Sequence, residues 1–142
     1  MSTITKYCEK NNLDPNKVFP MALARGADIL PTPSAFTAYM AEIKDDCIVC
    51  TNDKLKVFKK EVPFSSFQRA EFGIGSGHLW LQCVVDGKEF IFCSSMLRKG
   101  WKTPGAKLLI EKIGEHTEIL GMDDYNKIMG KFFWYYMIKY AF

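Results

Sequence analysis

The dipeptide Asp86-Gly87 constrains the fold of this chain more than any other short feature. It separates two runs, 79–85 and 88–94, in which successive side chains alternate in character. Asp and Gly both tolerate the positive φ angles of a type I′ turn, and such a turn joins antiparallel strands. The sequence therefore predicts a β-hairpin over residues 79–94. Its buried face is expected to carry Leu79, Leu81, Cys83, Val85, Phe90 and Phe92.

Further segments of strand composition surround this hairpin. Strands are predicted at residues 35–43, 47–51, 54–58 and 69–74. A two-residue turn at Asn52-Asp53 places Cys50 opposite Leu55 and Ile48 opposite Val57, with all four side chains on the core face. The chain is thus expected to be mainly β and antiparallel.

Turn-forming residues mark the segments between these strands. Residues 22–34 contain Gly26, Pro31 and Pro33, which predicts a connector leading to the first strand. Residues 61–67 are predicted to bend at Pro63.

Helical patterns flank the strands at both ends of the chain. Residues 3–10 are predicted to form a short helix. Thr103 is a suitable N-cap before Pro104, and Gly114 is a suitable stop, so a helix is predicted between them. A second helix is predicted from residue 123 to about residue 140. The fold class expected from these patterns is α+β.

Composition limits the classes of function. A chain of 142 residues with 48% hydrophobic and 25% charged residues is typical of one globular domain. A net charge of only +3 does not favour nucleic acid as a partner. No export signal or transmembrane segment is recognised, and five cysteines, an odd number, are typical of reduced thiols, so a cytoplasmic location is expected.

Three short stretches resemble bacterial pleckstrin-homology-like and GRAM-like domains. They are the sequences CIVCTNDKLKVF at 47–58, VPFSSF at 62–67 and RAEF at 69–72, within a match over residues 35–113. The resemblance implies a partly open antiparallel barrel of about seven strands, capped by one helix, without inherent catalytic activity. Residues 1–34 are then an N-terminal helix and connector, 35–114 the β-domain with its capping helix, and 115–142 a C-terminal aromatic helix on the same domain.

Motifs that carry catalytic or metal chemistry find little support. Cys47 and Cys50 are three residues apart on a strand and point to opposite faces, which does not suit one metal ion. The hairpin register places Cys83 opposite Phe90, so no cross-strand disulfide is expected. The glycines at 73, 75 and 77 lead into a strand rather than a helix, unlike a phosphate-binding loop. We expect no catalytic residue, metal or cofactor.

Two basic clusters offer alternative interpretations. The first cluster consists of Lys54, Lys56, Lys59 and Lys60. It is typical of a sheet edge, where charge discourages pairing, and less so of a phosphate-binding surface. The second cluster surrounds an aromatic residue and is a candidate contact for lipid head groups; it consists of Arg98, Lys99, Trp101 and Lys102.

Eight of the 20 aromatic residues lie between positions 125 and 142, a density that requires burial. As a helix, this segment packs one stripe on its own domain and leaves the opposite side for a homo-oligomer or partner interface. The candidate interface residues are Trp134, Tyr135, Ile138 and Phe142. Alternatively, residues 132–138 add a strand to the sheet.

The function expected from the sequence is a non-enzymatic binding module whose partner is a protein or peptide. A peripheral lipid-binding module is the first alternative, and a small enzyme of unknown type is the second.

Overall fold

A computed structural model describes residues 3–26, 29–30, 37–52, 58–75, 78–95 and 100–129. The strands are β1 (Val18–Arg25), β2 (Thr37–Ile43), β3 (Cys47–Asn52), β4 (Phe58–Pro63), β5 (Phe67–Gly75), β6 (His78–Val85), β7 (Lys88–Ser94) and β8 (Ile119–Leu120). The α-helices are α1 (Thr3–Asn11), α2 (Pro104–Gly114) and α3 (Met122–Met129). Short 3-10 helices at Pro15–Lys17 and Phe64–Ser66 precede β1 and β5.

All eight strands belong to one open sheet with the order β4-β3-β2-β1-β7-β6-β5-β8. Every neighbouring pair is antiparallel except β5 and β8, which are parallel. The mainly β, α+β class predicted from the sequence is therefore confirmed.

The short connection between β4 and β5 forces this sheet to curl. The two strands are six positions apart in the sheet order, which corresponds to about 29 Å in a flat sheet. Four Cα–Cα steps join Pro63 to Phe67, and they span at most about 15 Å. The sheet therefore bends around its inner face, and the core lies inside the bend.

The hairpin of β6 and β7 follows its predicted register. Leu81 pairs with Phe92 and Cys83 with Phe90. The turn residues Asp86 and Gly87 have φ angles of 51° and 76°. All six residues of the predicted inner face are buried. Local turn chemistry and alternation were sufficient to specify this element.

Helix α2 covers one end of the bend. Thr103 caps it by accepting a hydrogen bond from the backbone N–H of Ala106, and Pro104 occupies the first turn, as predicted. Ala106, Leu109 and Ile113 face the core. Gly105 approaches the backbone of Val18 so closely that a Cβ atom there would lie 2.2 Å from the Val18 carbonyl oxygen.

The predicted connector was wrong for its first residues, because β1 occupies Val18–Arg25 in the middle of the sheet, before the boundary at residue 35. Residues 18–23 are all buried, so the strand shows no alternation of apolar and polar residues. Pro20 also lies inside this strand, opposite Met40, where proline is unusual.

The predicted turn at Asn52-Asp53 was also wrong. Asn52 pairs with Phe58, so Cys50 lies opposite Lys60 and Ile48 opposite Val62. Ile48 and Cys50 belong to the core, as predicted. The opposite face is buried too at Cys47 and Val49.

Helix α1 covers part of this outer face. Its Cys8 and Tyr7 form a second apolar cluster with Val18, Leu13 and Met40. The helix predicted at residues 3–10 is thereby confirmed, and its apolar side seals the back of β1 and β2. The predicted C-terminal helix begins at Met122 and is described as far as Met129.

Candidate functional site

The outer edge of β4 presents backbone groups that no described strand pairs. The Phe64 N–H donates to the Asp46 carbonyl at 2.9 Å, which continues the β3–β4 register. Hydrogen bonding alternates along an antiparallel pair, so Phe58, Lys60 and Val62 turn their backbone groups toward β3. Lys59 and Glu61 therefore turn their N–H and C=O groups outward.

Pro63 is consistent with this orientation. Like Lys59 and Glu61, it occupies a position of β4 whose backbone groups face away from β3, and it has no N–H to donate. Proline within a sheet is largely confined to positions whose nitrogen faces away from a neighbouring strand. The open part of the edge thus runs along β4 as far as Glu61.

A groove of about 200 Å³ lies beside this edge. The β4 residues from Lys60 to Pro63 form one wall, and the β6–β7 turn at Val85, Asp86 and Lys88 forms the other, with Ile29 contributing. Asp86 is fixed there, because its N–H donates to the Ser66 carbonyl at 3.0 Å. The groove combines an apolar lining with charges of both signs.

Charged side chains surround the open edge. Lys59, Lys60 and Glu61 are exposed, and none of them forms an ion pair with another described residue. Lys60 shares the face of Val62, whereas Lys59 and Glu61 lie on the opposite face. Lys59 and Lys60 occupy an edge strand, as the sequence predicted, while Lys54 and Lys56 lie outside the described residues.

The other end of the sheet is covered by the chain itself. Residues 117–125, which we call the C-terminal strap, run along β5. Ile119 and Leu120 pair with Ala70 and Glu71, and the Thr117 hydroxyl donates to the Gln68 carbonyl at 3.3 Å. The strap therefore covers the outer side of β5, whereas the outer side of β4 has no described partner strand.

Tyr125 anchors the end of the strap. Its ring centroid lies 4.9 Å from that of Phe72, and its hydroxyl donates to the Trp101 carbonyl at 3.1 Å. Burial raises the pKa of this phenol. Gly121, with φ 76°, turns the strap so closely over Phe72 that a Cβ atom would lie 2.6 Å from the Phe72 carbonyl oxygen.

Trp101 does not serve as the expected lipid contact. Its side chain is 1% exposed, and its Nε1–H donates to the Leu79 carbonyl at 3.0 Å. It packs in the core against Phe19 and Phe72. The predicted lipid contact was therefore wrong for this residue. The apolar ring is buried in the core, and its N–H has the Leu79 carbonyl as a hydrogen-bond acceptor there.

The remaining predicted site residues are not brought together by the described structure. Lys102 is exposed. Arg98, Lys99, Trp134, Tyr135, Ile138 and Phe142 lie outside the described residues. Their head-group and interface roles stay predictions.

The five cysteines have free thiols, and all of them are buried. Burial raises the pKa of Cys50 to about 12 and that of Cys93 to about 12. Burial likewise raises the pKa values of Cys8, Cys47 and Cys83. A raised pKa keeps a thiol protonated and weakly nucleophilic, so these residues behave as small core side chains.

The histidines and glycines show structural contacts. Cys93 Sγ lies 3.6 Å from His78 Nδ1, and the His116 ring stacks on Phe64 at 6.3 Å. Gly73 and Gly75 lie within β5 rather than before a helix. Within the described ranges, no cluster of three or more His, Cys, Asp or Glu residues has a geometry suited to a metal ion.

No described helix combines the length and apolar character required to cross a membrane. No protein-family model matches the chain, and no curated protein matches it significantly. Function is therefore inferred from the geometry of the β4 edge and its groove.

Part of this site could be predicted from the sequence. Lys59 and Lys60 indicated an edge strand, but the incorrect turn at residues 52–53 placed β4 too early in the chain. Pro63 was the missing signal, because a proline at the end of a lysine-rich strand is typical of a sheet edge.

Proposed function

We propose that this chain is a non-enzymatic interaction module of pleckstrin-homology-like architecture that binds an extended segment of a protein along β4. The observation that carries the proposal is the open backbone edge at Lys59 and Glu61 beside the groove. Extended segments commonly bind proteins by adding a strand to such an edge.

The strand arrangement supports the architectural part of the proposal. Seven consecutive strands, β1 to β7, form a curled antiparallel sheet, and α2 follows the last of them and covers the end of the bend. The resemblance at residues 47–72 implies the same combination of a partly open barrel and one capping helix.

Backbone hydrogen bonds would supply affinity, and the groove would supply selectivity. A strand beside β4 exchanges N–H and C=O groups with Lys59 and Glu61. Alternate side chains of that strand then enter the groove, which Ile29, Val62 and Val85 line with apolar surface. The charged residues at its rim restrict which sequences bind.

The lipid-binding alternative receives less support. Its aromatic anchor was Trp101, which is in the core. The small-enzyme alternative requires convergent ionisable groups, and the buried thiols have raised rather than lowered pKa values.

The proposal is tested by selecting ligands from a displayed library of random dodecapeptides and comparing wild type with Glu61→Pro. Proline removes the outward N–H of residue 61 while leaving the β3 ladder intact, so selected peptides should bind at least about tenfold more weakly. Amide chemical shifts of Lys59 and Glu61 should move when a peptide binds wild type.

The matched control is Glu61→Ala, which keeps the backbone N–H and removes only the carboxylate. Its peptide binding should stay within about threefold of wild type, because removing one exposed charge costs less affinity than removing a backbone hydrogen bond. Failure to select any peptide, or equal binding by Glu61→Pro, would refute the β4 site.

A further inference from the structure

We propose that the extended segment that pairs with β4 is β4 of a second copy of this chain. This inference rests on the proposed function, since it names the partner of the same edge. Its basis is that the two outward-facing residues of the edge, Lys59 and Glu61, have opposite charges and lie on either side of Lys60.

The alternation of hydrogen bonds selects one symmetric register. Two antiparallel copies of β4 related by a two-fold axis at Lys60 place Lys59 opposite Glu61 of the partner subunit, and the reverse pair follows by symmetry. Both residues already turn their backbone groups outward, so each pair exchanges its N–H···O bonds across the axis.

Side-chain charges favour the same register. Directly opposite residues in an antiparallel pair have Cβ atoms about 5 Å apart, and opposite charges there are stabilising. Lys59 and Glu61 are exposed and have no ion pair with another described residue. The dimer therefore gives each of these charges a counter-charge without breaking an existing described ion pair.

The central residue, Lys60, is the unfavourable position of this pairing. It lies opposite Lys60 of the partner subunit, and like charges at that distance repel. Lys60 borders the same groove as Asp86, so the partner's Lys60 enters a groove that already contains a carboxylate. Lysine side chains are long enough to separate their ammonium groups.

Charge also explains why this pairing is selective. Lysines on an edge strand discourage pairing with most other strands. A shift by two residues in one direction puts Lys59 opposite Lys59 of the partner subunit. A shift by two in the other direction puts Pro63, which has no N–H, into a hydrogen-bonded pair with Lys59 of the partner subunit. The symmetric register avoids both defects. Because the contact is short, the dimer is expected to be weak and in exchange with monomer.

The test is a charge exchange followed by sedimentation equilibrium at protein concentrations up to about 1 mM, as a small interface requires. Lys59→Glu creates two Glu–Glu pairs and Glu61→Lys creates two Lys–Lys pairs. Each variant should dimerise at least about tenfold more weakly than wild type. The double variant Lys59→Glu/Glu61→Lys restores opposite charges and should recover the dimer.

Mixing the two single variants provides the decisive measurement. Lys59→Glu presents two glutamates and Glu61→Lys presents two lysines, so an equimolar mixture should form a heterodimer although neither variant dimerises well alone. Lys102→Glu and Glu111→Lys change the net charge equally at exposed positions outside β4, and they should dimerise like wild type.

A wild type that stays monomeric to about 1 mM, or a mixture without heterodimer, would overturn the self-pairing. If selected peptides still lose binding to Glu61→Pro in that case, the proposed strand-binding site stands and its partner is another protein. If both experiments fail, the β4 edge is not a docking site.

Discussion

Single residues at tight turns carry conformational requirements that packing does not relax. Gly87 has a φ of 76°, and a Cβ atom at this position would meet no atom within 4 Å. A substitution there is therefore strained by the backbone alone. Gly121 has the same φ but also approaches the Phe72 carbonyl oxygen, so sterics add to conformation.

For Gly87→Val we expect a loss of about 1–2 kcal/mol in the free energy of unfolding, since a β-branched residue must adopt a left-handed conformation. Urea denaturation measures it. Gly87→Asn is the control and should lose less, because asparagine visits this region more readily. Equal losses for the two variants would contradict the conformational explanation.

At the scale of elements, β4 and β5 differ in whether another segment of the chain covers their outer sides. β5 is covered by the C-terminal strap, whereas β4 keeps its outward backbone groups without a described partner. The strap has only a two-residue ladder, and Tyr125 and Gly121 add close contacts with Phe72.

Gly121→Ala should lower the free energy of unfolding by about 1–3 kcal/mol, because its Cβ clashes with the backbone of Phe72 and its φ is unfavourable. Hydrogen exchange should show faster exchange at Ile119 and Leu120. Gly114→Ala is the matched control, since its Cβ would meet only Ile119 Cδ1 at 3.8 Å. The strap is not held as described if both variants have the same stability.

At the scale of the whole molecule, burial in the core affects the ionisation of the cysteine thiols. The thiols of Cys50 and Cys83 lie on the inner face of the curled sheet. Their pKa values are raised because the folded state disfavours the thiolate. The unfolded chain has no such restriction, so folding and thiol ionisation are linked.

The linkage predicts that the free energy of unfolding keeps its full value below pH 9.0, which is the ordinary pKa of a thiol. The free energy of unfolding should then fall as the pH rises toward about 12, which is the pKa of Cys50 in the folded state. The Cys50 thiol adds a slope of up to about 1.4 kcal/mol per pH unit in this window. Urea denaturation at several pH values measures the slope.

Cys50→Ala tests the origin of that slope. The variant should be less stable than wild type at pH 7 because it leaves a cavity, yet its stability should fall less steeply above pH 9.0. An unchanged slope would assign the alkaline transition to other groups, such as Tyr39, whose pKa burial also raises.

The candidate site was only partly readable from the sequence. Lys59 and Lys60 indicated an edge, but the hydrogen-bonding phase of that edge depends on pairing with β3, which begins more than ten residues earlier in the chain. A shift in register changes which residues face outward, and local composition does not fix the register of such a pair.

The sequence by itself determined the elements whose causes are local. The β6–β7 register follows from two turn residues and the alternation around them, and the start of α2 follows from Thr103 and Pro104. Only the tertiary structure decided the place of β1 and the burial of Trp101. Met21 of β1 pairs with Ser94 of β7, and the Trp101 side chain donates a hydrogen bond to the Leu79 carbonyl. Such contacts join distant parts of the chain, so their energy is not encoded in any short segment.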